Sequence, residues 1–350
     1  FNIMNKLDKQ IVNHNESLEV ALKKLNLVTE TQTLFVIDDK NRIISSVSDG
    51  DIRRGLIRGL KMSDPITSFA NKKFSFIRHG NEDYSLIKEF RKRRLKAVPI
   101  IDKNDKIISI VNFSRTKSIL PIDAVIMAGG IGSRLKPLTD KIPKPLLKIG
   151  DKEIISYNFD RLSQFGINSQ YITLNYMSEK IISFCNNYKS DINFTFIKEK
   201  KFLGTAGSIA LINEFTNDFI LLMNSDVLTN IDYEDFYLSF IDSNCDMMVA
   251  SIAYPVKLPY AIFNINKNQI TSFTEKPVNT YYANAGIYLI KREVLKLIPK
   301  NVKYDATDLM NDVIKNNGII NHYPITSYWL DIGKHEDFKK AQEEISHIKF

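Results

Sequence analysis

The apolar run Ala124-Val125-Ile126-Met127 opens directly into Ala128-Gly129-Gly130-Ile131-Gly132-Ser133-Arg134-Leu135-Lys136-Pro137-Leu138-Thr139, with Pro143-Lys144-Pro145 close behind. A run that short reads as a buried parallel strand. A strand feeding a glycine-rich turn is how α/β folds build a phosphate site. Glycine lets the backbone approach phosphate oxygens closely, and the exposed N–H groups favour negative charge. Arg134 adds a planar donor fork, and Lys144 a point charge fixed between prolines. A Walker-type loop would end in Gly-Lys-Ser/Thr, which is absent, and a dinucleotide fingerprint would need glycine where Leu135 stands. What remains is either a phosphate loop of another kind or a turn that happens to be rich in glycine.

The whole string resembles the signature of sugar-1-phosphate nucleotidyltransferases, with Ser133 where that family usually carries Thr. The resemblance runs through residues 122–345. It implies an α/β, Rossmann-like (GT-A-like) catalytic domain over 122–350. It also implies Mg²⁺-dependent transfer of a nucleoside monophosphate from an NTP to a sugar 1-phosphate, releasing pyrophosphate. Ala128, Gly129, Gly130, Gly132 and Ser133 would bind the nucleotide. Arg134 would hold the leaving pyrophosphate and Lys144 the reacting phosphates.

The residues that follow support an α/β reading on their own. Glu153 to Phe165 is apolar at helical spacing and ended by Gly166. Strand-like and helix-like stretches then alternate at 171–175, 181–188 and 194–197. That rhythm predicts a mostly parallel sheet with helices on both faces, and ligands beyond the carboxyl ends of its strands. Glu199 precedes Leu203-Gly204-Thr205-Ala206-Gly207. This is either a tight turn capping a helix over Ser208–Asn213 or a loop whose small residues let a base lie against backbone. In the resembled family the matching loop contacts the nucleoside, which makes Glu199, Gly204, Thr205 and Ala206 nucleotide-binding candidates.

The apolar strand Phe219 to Asn224 ends in Ser225-Asp226, and a carboxylate there suits a hard cation that takes oxygen ligands. Asp331, in Trp329-Leu330-Asp331-Ile332-Gly333, is either its partner or an ordinary turn residue. By resemblance Asp226 and Asp331 ligate Mg²⁺. Glu275-Lys276-Pro277 matches a motif whose Glu binds sugar hydroxyls and whose Lys orients the sugar phosphate. Asn284 and Gly286 match the strand flooring the sugar pocket. Ala261 stands where many relatives carry glycine, which puts the identity of the sugar in question.

The net charge of +8 sits unevenly. Residues 1–121 hold 23 Lys+Arg against 14 Asp+Glu, and the remainder is nearly neutral. The run Lys88 to Lys96, with Phe90 and Leu95 as its apolar positions, reads as the solvated face of a helix, or as a surface for nucleotide phosphate. Its aromatics are not interleaved as a nucleic-acid stacking platform would need. The same region repeats itself. Val36 to Val47 recurs at Ile100 to Val111, 64 residues later, with six of twelve positions identical. Each copy reads as strand, polar turn, strand, after a helical pattern (Val20, Leu22, Leu25; Leu86, Ile87, Phe90).

This repeat resembles a tandem pair of CBS domains over 1–118, an α+β module with copies at about 1–62 and 63–118. Such pairs commonly bind adenine nucleotides. Ser48 and Asp51 match the ribose-holding positions, whereas the second copy has no carboxylate there. A structural or dimerising module without ligand, and Asp51 as the cap of a helix over Ile52–Leu60, are the alternatives. A CBS pair ahead of this transferase resembles the guanylyltransferases that make GDP-glucosamine for bacterial legionaminic acid synthesis, which points to GTP and glucosamine 1-phosphate. UTP or dTTP with another hexose 1-phosphate, or a non-catalytic nucleotide-sensing subunit, are the competing readings.

Two cysteines, no signal-peptide pattern and no apolar run of spanning length fit a cytoplasmic, reduced protein with no membrane partner. Self-association is expected by resemblance, and no nucleic acid.

Overall fold

The computed structural model describes residues 7–80 and 84–348, and it divides into two compact units, Phe1–Ile119 and Leu120–Phe350. The first unit contains β1 (Ile11–Asn13), α1 (Leu18–Leu25), β2 (Thr33–Ile37), β3 (Ile43–Ser48) and α2 (Asp49–Ile57). The same order follows in β4 (Ile77–Arg78), α3 (Tyr84–Lys92), β5 (Ala97–Ile101) and β6 (Ile107–Asn112). Each half forms a three-stranded sheet, β1-β2-β3 and β4-β5-β6. The hairpins match position for position at the 64-residue offset. Thr33 pairs with Ser48 as Ala97 does with Asn112, and both registers slip at the equivalent step. The bridge Arg42↔Lys106 and the Lys96 Nζ bond to Gln32 (2.7 Å) join equivalent positions, as a local two-fold requires.

Each half packs its own helix, and Phe35, Ile43, Ala97 and Ile101 form a core shared by both. Val20 and Leu86 face outward instead, at 36% and 39% exposure. In α1 the buried stripe is Leu18, Ala21 and Leu25, an i, i+3, i+7 set that turns position 20 away from the sheet. Phe90 is buried, Leu95 packs beside it, and the neighbouring basic side chains remain exposed.

The helix after Ser48 begins at Asp49, not at Ile52, because a capping box fixes its start. Asp51 Oδ2 accepts from Ser48 N (2.9 Å) and Ser48 Oγ (2.6 Å), and Asp51 Oδ1 accepts from Arg54. In the second copy the matching residues, Asn112 and Arg115, both donate to the carboxylate of Glu30 in the first.

The second unit begins with β7 (Ile122–Met127), β8 (Lys148–Ile149), β9 (Lys152–Glu153), α4 (Ile154–Gln164), β10 (Ser169–Leu174), α5 (Ser178–Asn187) and β11 (Asn193–Lys198). It continues through β12 (Phe219–Asn224), β13 (Val227–Thr229), α6 (Tyr233–Ser243), β14 (Met247–Lys257), β15 (Ile262–Asn266), β16 (Gln269–Thr274) and β17 (Val278–Lys291). It closes with α7 (Ala306–Lys315), β18 (Ile320–Pro324), β19 (Trp329–Asp331) and α8 (His335–Glu344). The main sheet runs β11-β10-β7-β12-β17-β14-β18. It is mostly parallel and mixed, with β17 antiparallel to both its neighbours.

Residues 122–126 of β7 are fully buried, consistent with helices covering both faces. Their number includes a carboxylate, Asp123, which accepts from Thr216 N, Asn217 N and Asn217 Nδ2 and is thereby satisfied. The turn after Ala206 is a short 3-10 segment, Gly207–Leu211, rather than a helix to Asn213. Tyr304 O takes the N–H groups of both Ala206 and Gly207 and holds the chain in a tight turn.

Candidate active site

The carboxyl ends of β7 and β12 lie side by side, since Asn224 pairs with Met127 and Ser225 N donates to Met127 O (3.2 Å). The glycine-rich loop therefore starts where Asp226 emerges. Gly132 adopts φ +67, and a Cβ there would sit 3.0 Å from Thr139 Cγ2 and 3.1 Å from Lys144 Cβ. Thr139 Oγ1 donates to Gly132 O (2.9 Å), and Lys144 packs close against Gly132, whose left-handed backbone favours glycine. That contact brings Lys144 inward, to 9% exposure. Its ammonium pairs with the carboxylate of Asp226.

Asp331 arrives from far along the chain. β13 and β19 pair antiparallel with Val227 opposite Asp331, and Ile332 N donates to Asp226 O (3.1 Å). Burial, followed by the negative charge of Asp226, pushes the Asp331 carboxyl up to about 6. Lys144 and Arg134 pull it partly back. The Arg134 guanidinium lies against Gly333, and His335 Nε2 donates to Lys136 O (2.8 Å), tying the start of α8 to the glycine-rich loop. Arg134, Lys144, Asp226 and Asp331 thus form one cluster, although they are drawn from four separate segments.

This cluster passes a simple test for a divalent cation. Two carboxylates share a site with one buried ammonium, and burial, then the neighbouring carboxylate, raises the Asp331 pKa despite Lys144 and Arg134. Mg²⁺ needs one or two carboxylates and takes its other oxygens from water and phosphate. Among the described residues no set of three or more His, Cys, Asp or Glu is placed to hold a metal.

A second buried carboxylate lies beneath the loop. Glu199 is 8% exposed, and burial raises its pKa above the usual carboxylate range. Its Oε2 accepts from Leu203 N (2.9 Å), and a Cβ on Gly129 would stand 3.2 Å from Oε1. Gly204, Thr205 and Ala206 form the wall beyond it. Thr205 is held by Asp305, which accepts from its N (2.9 Å), and Ala306 N donates to Thr205 Oγ1 (2.8 Å). Ala206 is fully buried. Gly130 and Ser133 are exposed on the loop, whereas Ala128 and Gly129 are buried beneath it.

The sugar-pocket candidates divide. Gly286, at φ +71, approaches Asn224 so closely that a Cβ would be 2.5 Å from Asn224 Nδ2. Asn284 Oδ1 accepts from Gly286 N, Asn284 Nδ2 donates to Tyr288 OH, and Trp329 Nε1 donates to Ala285 O. These contacts place 284–286 beside the strand end that leads to Asp226. Glu275 and Lys276, by contrast, lie exposed just after β16, with Lys276 at φ +42. They form no ion pair or hydrogen bond with Lys144, Asp226 or Asp331 among the described residues.

Sequence reasoning missed Asn224 and Asp305. Asn224 stands two residues before Asp226 at a strand end, a position that could have marked it. Asp305 reaches Thr205 from 100 residues away and leaves no local signal.

Residues 123–347 match the family model described as Nucleotidyl transferase. The chain belongs to the nucleotidyl transferase family. Mannose-1-phosphate guanyltransferase of Schizosaccharomyces pombe is 28% identical over 228 residues, covering 61% of this chain and 62% of that protein. The mannose-1-phosphate guanylyltransferase catalytic subunit beta of Dictyostelium discoideum is also 28% identical, over 225 residues. The chain spans about 62% of the length of these curated relatives.

Among solved structures, a Bacillus anthracis protein provisionally named a glucose-1-phosphate thymidylyltransferase superposes with a TM-score of 0.54 at 26% identity. That match covers 65% of this chain and 97% of the other. HddC from Yersinia pseudotuberculosis gives 0.50 at 27% identity, over 64% and 99%. For this nucleotidyl transferase, the matched region is the second unit, where the cluster lies.

Proposed function

We propose that the chain transfers a guanylyl group from GTP to a hexose 1-phosphate, releasing pyrophosphate and forming a GDP-sugar. The observation that carries this reading is the convergence of Arg134, Lys144, Asp226 and Asp331 at the carboxyl ends of β7 and β12. One oxygen of the sugar phosphate attacks the α-phosphorus, the α-phosphorus–oxygen bond to the β-phosphate breaks, and pyrophosphate leaves opposite. A phosphate monoester is already nucleophilic at neutral pH, so the site has to align two polyanions and offset their charge. Lys144 neutralises the reacting phosphates from inside the loop, Arg134 holds the departing pyrophosphate, and the loop N–H groups take the remaining oxygens. Asp226 and Asp331 would hold Mg²⁺, which supplies charge neutralisation and a template for the triphosphate. Glu275, Lys276, Asn284 and Gly286 would bind the sugar phosphate once the segment after β16 is drawn towards Asn224.

Guanine is favoured by Glu199. A buried carboxylate with one oxygen held by Leu203 N, and with Ser208 beside it, would offer the other to a base lying against Gly129. Guanine offers two adjacent donors, N1–H and N2–H, to such a group, and no other standard base does. The guanyltransferase relatives support the same base. They carry mannose in their names, whereas the N-terminal resemblance points to glucosamine 1-phosphate, and we favour glucosamine with mannose as the alternative. We infer that the first unit is a CBS-like pair that takes one nucleotide near Ser48 and Asp51. Pyrophosphate release with each sugar phosphate against GTP, UTP, dTTP, CTP and ATP tests the reading. GTP should outpace the others, and silence across the panel would refute it.

A further inference from the structure

Ser208 stands second in the 3-10 segment Gly207–Leu211, wholly inside the protein, yet its hydroxyl makes no hydrogen bond. A hydroxyl buried without a partner costs stability, and an alanine would fill the same place without that cost. Such a group calls for a use. The chain around it is pinned. Ala206 N and Gly207 N both donate to Tyr304 O, and a Cβ on Gly207 would stand 2.7 Å from Val302 O and 3.2 Å from Leu203 Cβ. Leu203 N in turn donates to Glu199 Oε2 (2.9 Å). Glu199 is held from its other side, by its own N–H on Leu174 O (2.8 Å) and by Asn175 Nδ2 on its carbonyl oxygen (3.4 Å). The Ser208 hydroxyl thus lies beside the Glu199 carboxylate, where it and Leu203 N favour the charge that burial opposes.

We propose that Ser208 is a positioning residue for base recognition, its hydroxyl donating to the Glu199 carboxylate once a base lies against the loop. This rests on the reading of Glu199 as the group that meets guanine. The acceptor sites then close: a carboxylate offers about four, of which Leu203 N takes one, guanine N1–H and N2–H two, and Ser208 the last. A hydroxyl suits the task, because it turns about its own bond and needs no movement of the pinned backbone. The orphan of the empty protein is therefore a donor that completes its bond when the ligand fixes the carboxylate. The base lies away from the reacting phosphorus, so this contact is equally strong in the ground and transition states, and its loss falls on KM.

The test compares Ser208→Ala, Glu199→Gln and the double variant of the full chain, each with GTP and with UTP. Ser208→Ala should cut kcat/KM for GTP roughly tenfold, through KM with kcat kept, and spare UTP. It should melt no lower than the wild type, because the hydroxyl it removes has no partner in the empty protein. Added to Glu199→Gln it should cost almost nothing more, since Ser208 acts through that carboxylate. The Glu199 carboxyl carbon, followed by NMR and assigned by its absence from Glu199→Gln, should titrate at higher pH in Ser208→Ala, a shift that a merely structural serine would not cause. A GTP rate unchanged in Ser208→Ala while Glu199→Gln is impaired would overturn the proposal and leave the base reading standing. So would an equal loss from Ser208→Ala in both backgrounds, or a lower melting point with GTP and UTP weakened alike. If Glu199→Gln spares GTP, the base reading itself fails and this proposal falls with it.

Discussion

Glu199→Gln isolates the base-reading role proposed for Glu199, because it changes one atom and one charge. In the wild type Oε2 accepts from Leu203 N at 2.9 Å, and a glutamine carbonyl can keep that bond. The other terminus then becomes an NH2 group, a donor facing the donors of guanine. Losing a charge-assisted hydrogen bond costs about 1.5–3 kcal/mol, so kcat/KM with GTP should fall roughly 10- to 150-fold. UTP presents one N–H between two carbonyls and tolerates an amide, so its rate should fall far less, and the GTP:UTP ratio should drop by most of that factor. The fold should be unharmed. Burial already raises the Glu199 pKa, meaning that the folded state disfavours its charge, and a neutral isostere removes that cost. The assay is initial-rate pyrophosphate release with each nucleotide, beside a thermal melt. A GTP rate within twofold of wild type would refute the argument. So would an equal loss with every nucleotide, which would mean that Glu199 only supports the loop beneath Gly129.

Lys144→Ala should cost about 10²–10³ in kcat, the scale of removing one charge-stabilising donor from a dry site, while circular dichroism stays unchanged; near-normal turnover would reject the assignment. Asp331→Asn should abolish Mg²⁺-supported turnover yet raise the melting temperature of the metal-free protein at pH 7.5. Its folded pKa, near 6, lies above the unfolded value, so this group adds stability as pH falls through 6 and withdraws it above, by on the order of 1–2 kcal/mol after solvent screening. A metal-free variant that melts lower than wild type at pH 7.5 would contradict that sign. Titrating AMP, ATP and GTP into the full chain by calorimetry should find one nucleotide per chain on the first unit beyond the catalytic one, and the absence of any second site would reject the CBS-like reading.

The glycine-rich loop and its cations were legible because their pattern is local: strand, glycines, Arg134 and Lys144 lie within about two dozen residues. The mixed sheet was legible as alternating βα rhythm, but the antiparallel insertion of β17 was not, since a strand's direction depends on its partners and leaves no mark on its own residues. Asp226 was legible as a carboxylate at a strand mouth, and Asp331 only as its partner by resemblance or as an ordinary turn residue. The resemblance paired them in advance; the β13–β19 pairing shows how the backbone brings them together, and the burial that chiefly raises the Asp331 pKa is visible only in the fold. Thr205 shows the opposite difficulty: its motif was visible, but the Asp305 that holds it lies 100 residues on.

The N-terminal repeat separates what a repeat fixes from what it leaves free. Identity at six of twelve positions is enough to give both hairpins the same register and the same slip, because alternation and turn set the backbone. The ends carry the difference. Position 51 is Asp and its counterpart 115 is Arg, while position 30 is Glu and its counterpart 94 is Arg. Under the local two-fold these are the same two places with their charges exchanged. Only one of the two pairings forms: Arg115 closes on Glu30, whereas Asp51 turns to Ser48 and Arg54. A phosphate entering beside Glu30 would meet a carboxylate and have to break an ion pair to reach Arg115. At the opposite end the counterpart of Glu30 is a cation, Arg94, and among the described residues no carboxylate is paired with it. The module is symmetric in its backbone and one-sided in its charge, which is the physical reason to expect a single nucleotide per pair.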